Sequence, residues 1–166
     1  MHFVNSDHNN LLEVKPSTFG KGLFAVKDIL PGFRICAVQG NIISFRQTLL
    51  LGDKESHAVQ IGIDKYILCD PPFLYSNHSC YPNCGLNKYL ELFTLKQVQK
   101  GEEIFWDYST SMLERHWTMR CRCGASNCRK IITDFDILPI QLQEQYIKLN
   151  IVLPFIVDEL QYGVAI

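Results

Sequence analysis

Asn77-His78-Ser79-Cys80-Tyr81-Pro82-Asn83 is a run of polar and turn-forming side chains set between apolar strand candidates. Asparagine, histidine and serine placed together in a core are costly unless they bond to one another, to backbone or to a ligand. Taken alone, the run reads as a polar loop with an Asx turn. Upstream, residues 58–61 and 66–69 have strand-like patterning before Pro71-Pro72 blocks regular structure. Still earlier, Leu11, Leu12 and Val14 precede a break at Pro16-Ser17, and Gly20-Lys21-Gly22 opens into residues 23–26. Pro31-Gly32 predicts a turn between strands, residues 33–38 and 41–45 are strand candidates, and residues 46–51 form one or two helical turns ending at Gly52.

Downstream, residues 90–95 predict a strand, and Gly101-Glu102-Glu103 turns the chain into another over residues 104–106. The tail differs. Residues 139–149 carry approximate helical spacing behind a proline, and Pro154 separates a second short helix over residues 155–161. The pattern is mostly β with a helical C-terminal appendage, its apolar side chains expected on the cysteine segment or on a partner chain.

With 166 residues the chain is about one domain long and can bury roughly two-thirds of its unfolded surface. A 47% apolar and 20% charged composition excludes disorder and collagen-like repeats. Sixteen basic against seventeen acidic residues leave a net charge of −1, which argues against phosphate-driven nucleic-acid binding. No stretch of ~18 apolar residues predicts a membrane span. Met1-His2-Phe3-Val4-Asn5-Ser6-Asp7-His8 lacks the basic and apolar regions of a secretory signal. The expected compartment is cytoplasmic, or nuclear in a eukaryote.

Seven cysteines suit a disulfide framework poorly, and three of them form Cys121-Arg122-Cys123-Gly124-Ala125-Ser126-Asn127-Cys128. Thiolates this close strain disulfide geometry, yet they converge readily on one tetrahedral zinc if a fourth ligand arrives from elsewhere. Cys80 and Cys84 are the two candidates for that ligand. A zinc closed by four protein ligands is a staple, not a catalyst.

The ordered set of Gly20-Lys21-Gly22, the Asn77–Asn83 run, Gly101-Glu102-Glu103-Ile104-Phe105-Trp106-Asp107-Tyr108 and the cysteine cluster resembles the SET-domain protein lysine methyltransferases, with the cluster matching their post-SET segment. The resemblance covers roughly residues 10–130, and the tail resembles an extension on small bacterial members. It implies a β-clip fold of small curved sheets around a knot-like crossing. It also implies three parts: a SET domain over residues 1–118, a post-SET zinc segment over 119–132, and a helical extension over 133–166.

The implied reaction is methyl transfer from S-adenosylmethionine to a lysine side chain of a protein substrate, histones included. Such a displacement needs aligned reactants and a neutral amine, which burial beside a cationic sulfonium favours. By resemblance Tyr108 is catalytic; Gly20, Lys21, Gly22, Leu23, Asn77, His78 and Tyr108 hold the cofactor; Trp117 covers it or packs the join. Cys80 joins Cys121, Cys123 and Cys128 on zinc, with Cys84 the competitor. Asp107 and Glu103 are expected to be structural or surface carboxylates.

The chain departs from the family pattern at Val38, Leu74, Tyr75 and His57, and Trp106 stands where product multiplicity is tuned. These departures keep a non-catalytic, zinc-stapled binding module open as an alternative, and a purely structural zinc protein as a third. Self-association through the tail is a further expectation.

Overall fold

Residues 20–25 explain why so many short strands can share one core. In β2 (Gly20–Ala25), Leu23 and Ala25 are buried, while Phe24 between them is only half-buried, which is the period-2 alternation of a strand covered on one face. β2 pairs antiparallel with β1 (Leu12–Ser17), Leu12 opposite Ala25 and Ser17 opposite Gly20. The computed structural model describes residues 11–162; the reading of Met1–His8 lies outside them. The expected break at Pro16-Ser17 does not occur. β1 runs through it, because a proline on the edge of a two-stranded hairpin need not donate to the ladder.

Two three-stranded antiparallel sheets follow. β3 (Arg34–Ala37), β8 (Cys84–Leu86) and β9 (Glu91–Thr94) form one in the order β3-β9-β8. β4 (Gly40–Ile43), β5 (Ala58–Gly62) and β6 (Lys65–Cys69) form the other in the order β4-β6-β5. Between β4 and β5 lie α1 (Phe45–Thr48) and a 3₁₀ turn over Gly52–His57. Gln47 opens α1 by accepting the Ser44 N–H at 2.9 Å. Leu23, Ile35, Leu86, Leu92, Val98 and Ile104 are each almost wholly buried in one core shared by β2 and both sheets.

The polar run supplies a third kind of pairing. β7 (Asn77–His78) lies parallel to β10 (Phe105–Trp106), Asn77 opposite Phe105 and His78 opposite Trp106. Asn83 braces the same join from the side: its Nδ2 donates to the Glu103 carbonyl and its Oδ1 accepts the Phe105 N–H, both at 2.8 Å. One buried asparagine thus replaces the backbone of a missing strand residue, which satisfies groups that would otherwise be buried unpaired.

A two-stranded hairpin, β11 (Met119–Arg120) with β12 (Ile131–Ile132), carries the cysteines between its strands. The tail forms α2 (Ile140–Lys148) and α3 (Pro154–Tyr162). Asn150 at φ 55° ends the first, a left-handed position asparagine tolerates, and Pro154 opens the second. Within the chain, the tail packs on the sheet and not, as expected, on the cysteine segment. Phe135, Leu138, Tyr146, Ile151, Val152 and Ile156 pack against Phe93 and Leu95 of the sheet and against Leu113. Gly85 lets Ile151 come that close, since a Cβ there would sit 2.2 Å from its Cγ2. The tail covers apolar side chains of the sheet.

Candidate functional site

Tyr108 is fixed by the parallel pairing of β7 and β10. It follows β10 at the start of a 3₁₀ turn (Tyr108–Ser111) capped by Asp107, whose carboxylate accepts the Ser109 N–H at 3.1 Å. Its own N–H donates to His78 Nδ1 at 3.2 Å. That bond requires a lone pair on Nδ1, so the His78 proton sits on Nε2, which faces Cys80 Sγ at 3.4 Å. Burial pushes His78 down to about 4 against the pull of Asp107, so the imidazole is neutral, and its 3.5 Å approach to Asp107 is not an ion pair. The Tyr108 hydroxyl donates to the Ser76 carbonyl at 3.0 Å, which also accepts Trp106 Nε1–H at 3.3 Å. Burial raises the Tyr108 pKa, keeping it a neutral phenol.

Two cavities meet at this ring. A wide cleft of about 660 Å³ is walled by Lys21, Asn77, His78, Tyr108, Arg120 and Arg122, among others. A narrow cavity of about 50 Å³ is walled by Tyr66, Phe73, Trp106, Glu114 and Trp117 with Tyr108. Ser56, His57, Leu74 and Tyr108 line both. The phenol therefore stands on the partition between a space of ligand size and a slot.

The structure brings only some of the expected cofactor residues to the cleft. Lys21, Asn77, His78 and Tyr108 line it. Gly20, Gly22 and Leu23 do not. Gly20 turns the hairpin at φ 99°, and Leu23 is 1% exposed in the core. Gly22 makes room for a side chain: a Cβ there would lie 2.2 Å from Glu103 Oε1. Glu103 accepts the Ser17 hydroxyl at 2.9 Å and Asn77 Nδ2 at 2.7 Å, and the same Asn77 nitrogen donates to the Lys21 carbonyl at 2.9 Å. Glu103 is thus a structural carboxylate, as expected. Trp117 lines the narrow cavity rather than the wide cleft.

The sulfurs of Cys80, Cys121, Cys123 and Cys128 all lie within 4.8 Å of one another, and all four are free thiols. A tetrahedral zinc with bonds of ~2.3 Å sets its sulfurs ~3.8 Å apart; Cys80 and Cys121 are 3.7 Å apart. Backbone N–H groups already point at the sulfurs, Arg129 N–H at Cys80 and Cys80 N–H at Cys123. Burial pushes Cys80 up to about 11; at Cys123 the N–H groups of Cys80 and Ala125 and the neighbouring thiols outweigh burial and draw the value down to about 6. The donor set fits a closed, four-sulfur metal site. Cys84 is wholly buried in the main core and takes no part.

Asp107 joins three parts of the chain. It is 1% exposed and receives both Arg129 terminal nitrogens at 2.7 Å and the Tyr146 hydroxyl at 2.9 Å. One buried carboxylate thus ties the Tyr108 turn, the cysteine segment and α2 together, a bidentate arrangement among the strongest side-chain pairings available. The sequence reading missed Arg129, Tyr146 and the cavity residues Tyr66 and Glu114. Of these only Arg129, next to Cys128, stood beside a recognisable motif.

Several curated proteins are similar to this chain over part of its length. Histone-lysine N-methyltransferase trr of Drosophila melanogaster is 27% identical over 140 residues, covering 74% of this chain and 6% of that protein. Histone-lysine N-methyltransferase 2B of Homo sapiens is 26% identical over 132 residues, covering 68% of this chain and 5% of its own. An H3 lysine-36 specific histone-lysine N-methyltransferase of Gibberella zeae is 27% identical over 145 residues, with shares of 76% and 15%. The chain therefore spans only a small part of each relative. The family model described as SET domain matches residues 20–109, from the turn of the first hairpin through Tyr108, and with more than half of its length so matched the chain belongs to the SET-domain family.

Proposed function

We propose that this protein transfers a methyl group from S-adenosylmethionine to the ε-amine of a lysine in a protein substrate, histones being the first class to test. The observation that carries the reading is the position of Tyr108 on the shared wall of the wide cleft and the narrow cavity. The cosubstrate supplies an electrophilic methyl on a cationic sulfur. The cleft suits it by size and by its polar wall: Lys21, Arg120 and Arg122 offer cations to a carboxylate, and His78 and Asn77 offer neutral polar surface.

The chain's own part is alignment and desolvation. A lysine chain entering the narrow cavity passes between aromatic walls, where loss of water favours the neutral amine. The Tyr108 oxygen, anchored by donation to the Ser76 carbonyl, keeps lone pairs free near the partition and presents partial negative charge where positive charge moves. The C–S bond breaks as the C–N bond forms, and the product ammonium then loses its proton to water. Asp107 and Glu103 are both committed to structural bonds and are assigned no proton.

Titration with S-adenosylhomocysteine tests the cleft assignment: at ~100 times its dissociation constant it should stabilise the fold by about 2.7 kcal/mol, a rise of roughly 5–10 °C in melting temperature. No shift would remove cofactor binding and with it the reading. Binding without turnover would instead favour the binding-module alternative, motivated by His57 and Leu74 at the junction.

Zinc on Cys80, Cys121, Cys123 and Cys128 completes the proposal, with residues 119–132 as a post-SET staple between a SET domain over 1–118 and an extension over 133–166. Cys121→Ser should reduce zinc from about one atom per chain to well below half and lower the melting temperature. Metal analysis showing full zinc in the variant would contradict that ligand set. No helix among the described residues is long and apolar enough to cross a membrane.

A further inference from the structure

Two carboxylates on the wall of the narrow cavity, Glu55 and Glu114, have no part in the reaction described so far. Glu114 lines the cavity, and both of its oxygens are held: Oε2 accepts the Tyr66 hydroxyl at 2.5 Å, and Oε1 accepts the Trp117 N–H at 3.2 Å. Tyr66 is 3% exposed, and burial, then its bond to Glu114, raises its pKa, so it remains the donor of that pair. The carboxylate is left acceptor-only and fixed in place.

Much of the remaining wall is apolar or aromatic: Phe73, Trp106, Met112 and Trp117. Glu55 also lines the cavity; its buried Oε1 has no hydrogen-bond partner and lies 3.5 Å from His116 Nε2, so unlike Glu114 it is not held at both oxygens, and the titratable His57 stands at the junction with the cleft. At about 50 Å³ against about 660 Å³ for the cleft, the cavity is a slot for a thin, unbranched chain. A fixed anion in a slot with apolar walls attracts a cation more strongly than it would in water, and tryptophan faces add to that attraction.

We propose that Glu114, steadied by Tyr66, is the cation-recognition carboxylate of this cavity, selecting an unbranched alkylammonium end over a neutral chain of the same length. This rests on the lysine methyltransferase reading and adds a specificity determinant to it. Glu114 acts on the ammonium form at entry; that proton then leaves to water, and the cationic sulfonium beyond the partition favours the neutral amine that is transferred.

The test needs no known substrate. The chain has two tryptophans, and both line the cavity, so their indole N–H resonances report its occupancy. The full chain is titrated with n-butylammonium chloride and, separately, with n-butanol. The ammonium should bind about tenfold more tightly. Glu114→Gln should lower the ratio several-fold, and further than Glu55→Gln does, while leaving butanol affinity unchanged. Glu114→Asp, which withdraws the charge by one methylene, should lower the ratio several-fold and serves as the decisive variant should the glutamine form lose its dispersed amide spectrum. Equal affinities in the wild type, indoles that ignore the ammonium, a ratio unmoved by the Glu114 variants, or one lowered as far by Glu55→Gln would overturn the inference. Methyl transfer with an insensitive ratio defeats only this inference. A Glu114-dependent ratio with no methyl transfer defeats only the methyltransferase reading.

Discussion

Asp107→Asn is expected to destabilise the protein by about 3–5 kcal/mol, because it leaves the Arg129 guanidinium without its counter-charge in a largely buried site. For a chain of this length that is a fall of roughly 6–20 °C in melting temperature. The substitution preserves shape and one oxygen for the Ser109 N–H. It also turns an amide N–H₂ toward the Arg129 donors or the Tyr146 hydroxyl, where an acceptor is needed. Because Arg129 adjoins Cys128, zinc should pass to a chelator faster in the variant than in the wild type. Thermal unfolding and a chelator-competition time course measure the two effects. A change of melting temperature within error would show that the carboxylate does not fasten the cysteine segment and α2 to the Tyr108 turn.

Tyr108→Phe separates catalysis from folding. The variant loses one hydrogen bond to the Ser76 carbonyl, worth about 1 kcal/mol, and that carbonyl keeps Trp106 Nε1–H as a donor. The fold should survive. Methyl transfer should fall ~10²–10³-fold, the usual cost of removing one polar group aimed at developing charge. S-adenosylhomocysteine affinity should change by less than about threefold, since the ring remains on the cleft wall. An unchanged rate would take the hydroxyl out of the reaction and leave Tyr108 as a packing residue.

Most of the fold was legible because punctuation was local. Gly32 at φ 78° and Gly101 at φ 85° turn the chain where the sequence predicts, and the tail divides at Asn150 and Pro154 into the two expected helices. The cysteine set was legible for the same reason, since three ligands share eight residues and only the choice between Cys80 and Cys84 needed coordinates. What escaped the sequence depends on distant partners. A two-residue parallel pairing of Asn77-His78 with Phe105-Trp106 has no periodicity to detect. Asp107 meets partners 22 and 39 residues away, and Tyr66 meets Glu114 48 residues away, without any motif linking them. The close approach of the Glu103 carboxylate to Gly22, from 81 positions downstream, likewise has no local signal. Pro16 signalled a break that an edge strand had no reason to make.

Transfer of label from methyl-tritiated S-adenosylmethionine to purified core histones and to a panel of cellular proteins tests the central claim most directly. Acid hydrolysis of at least one labelled protein should release tritium as methyllysine, and the Tyr108→Phe protein should release almost none. Wild-type protein that leaves every lysine in the panel unlabelled, and gives no heat with S-adenosylhomocysteine, would contradict the account.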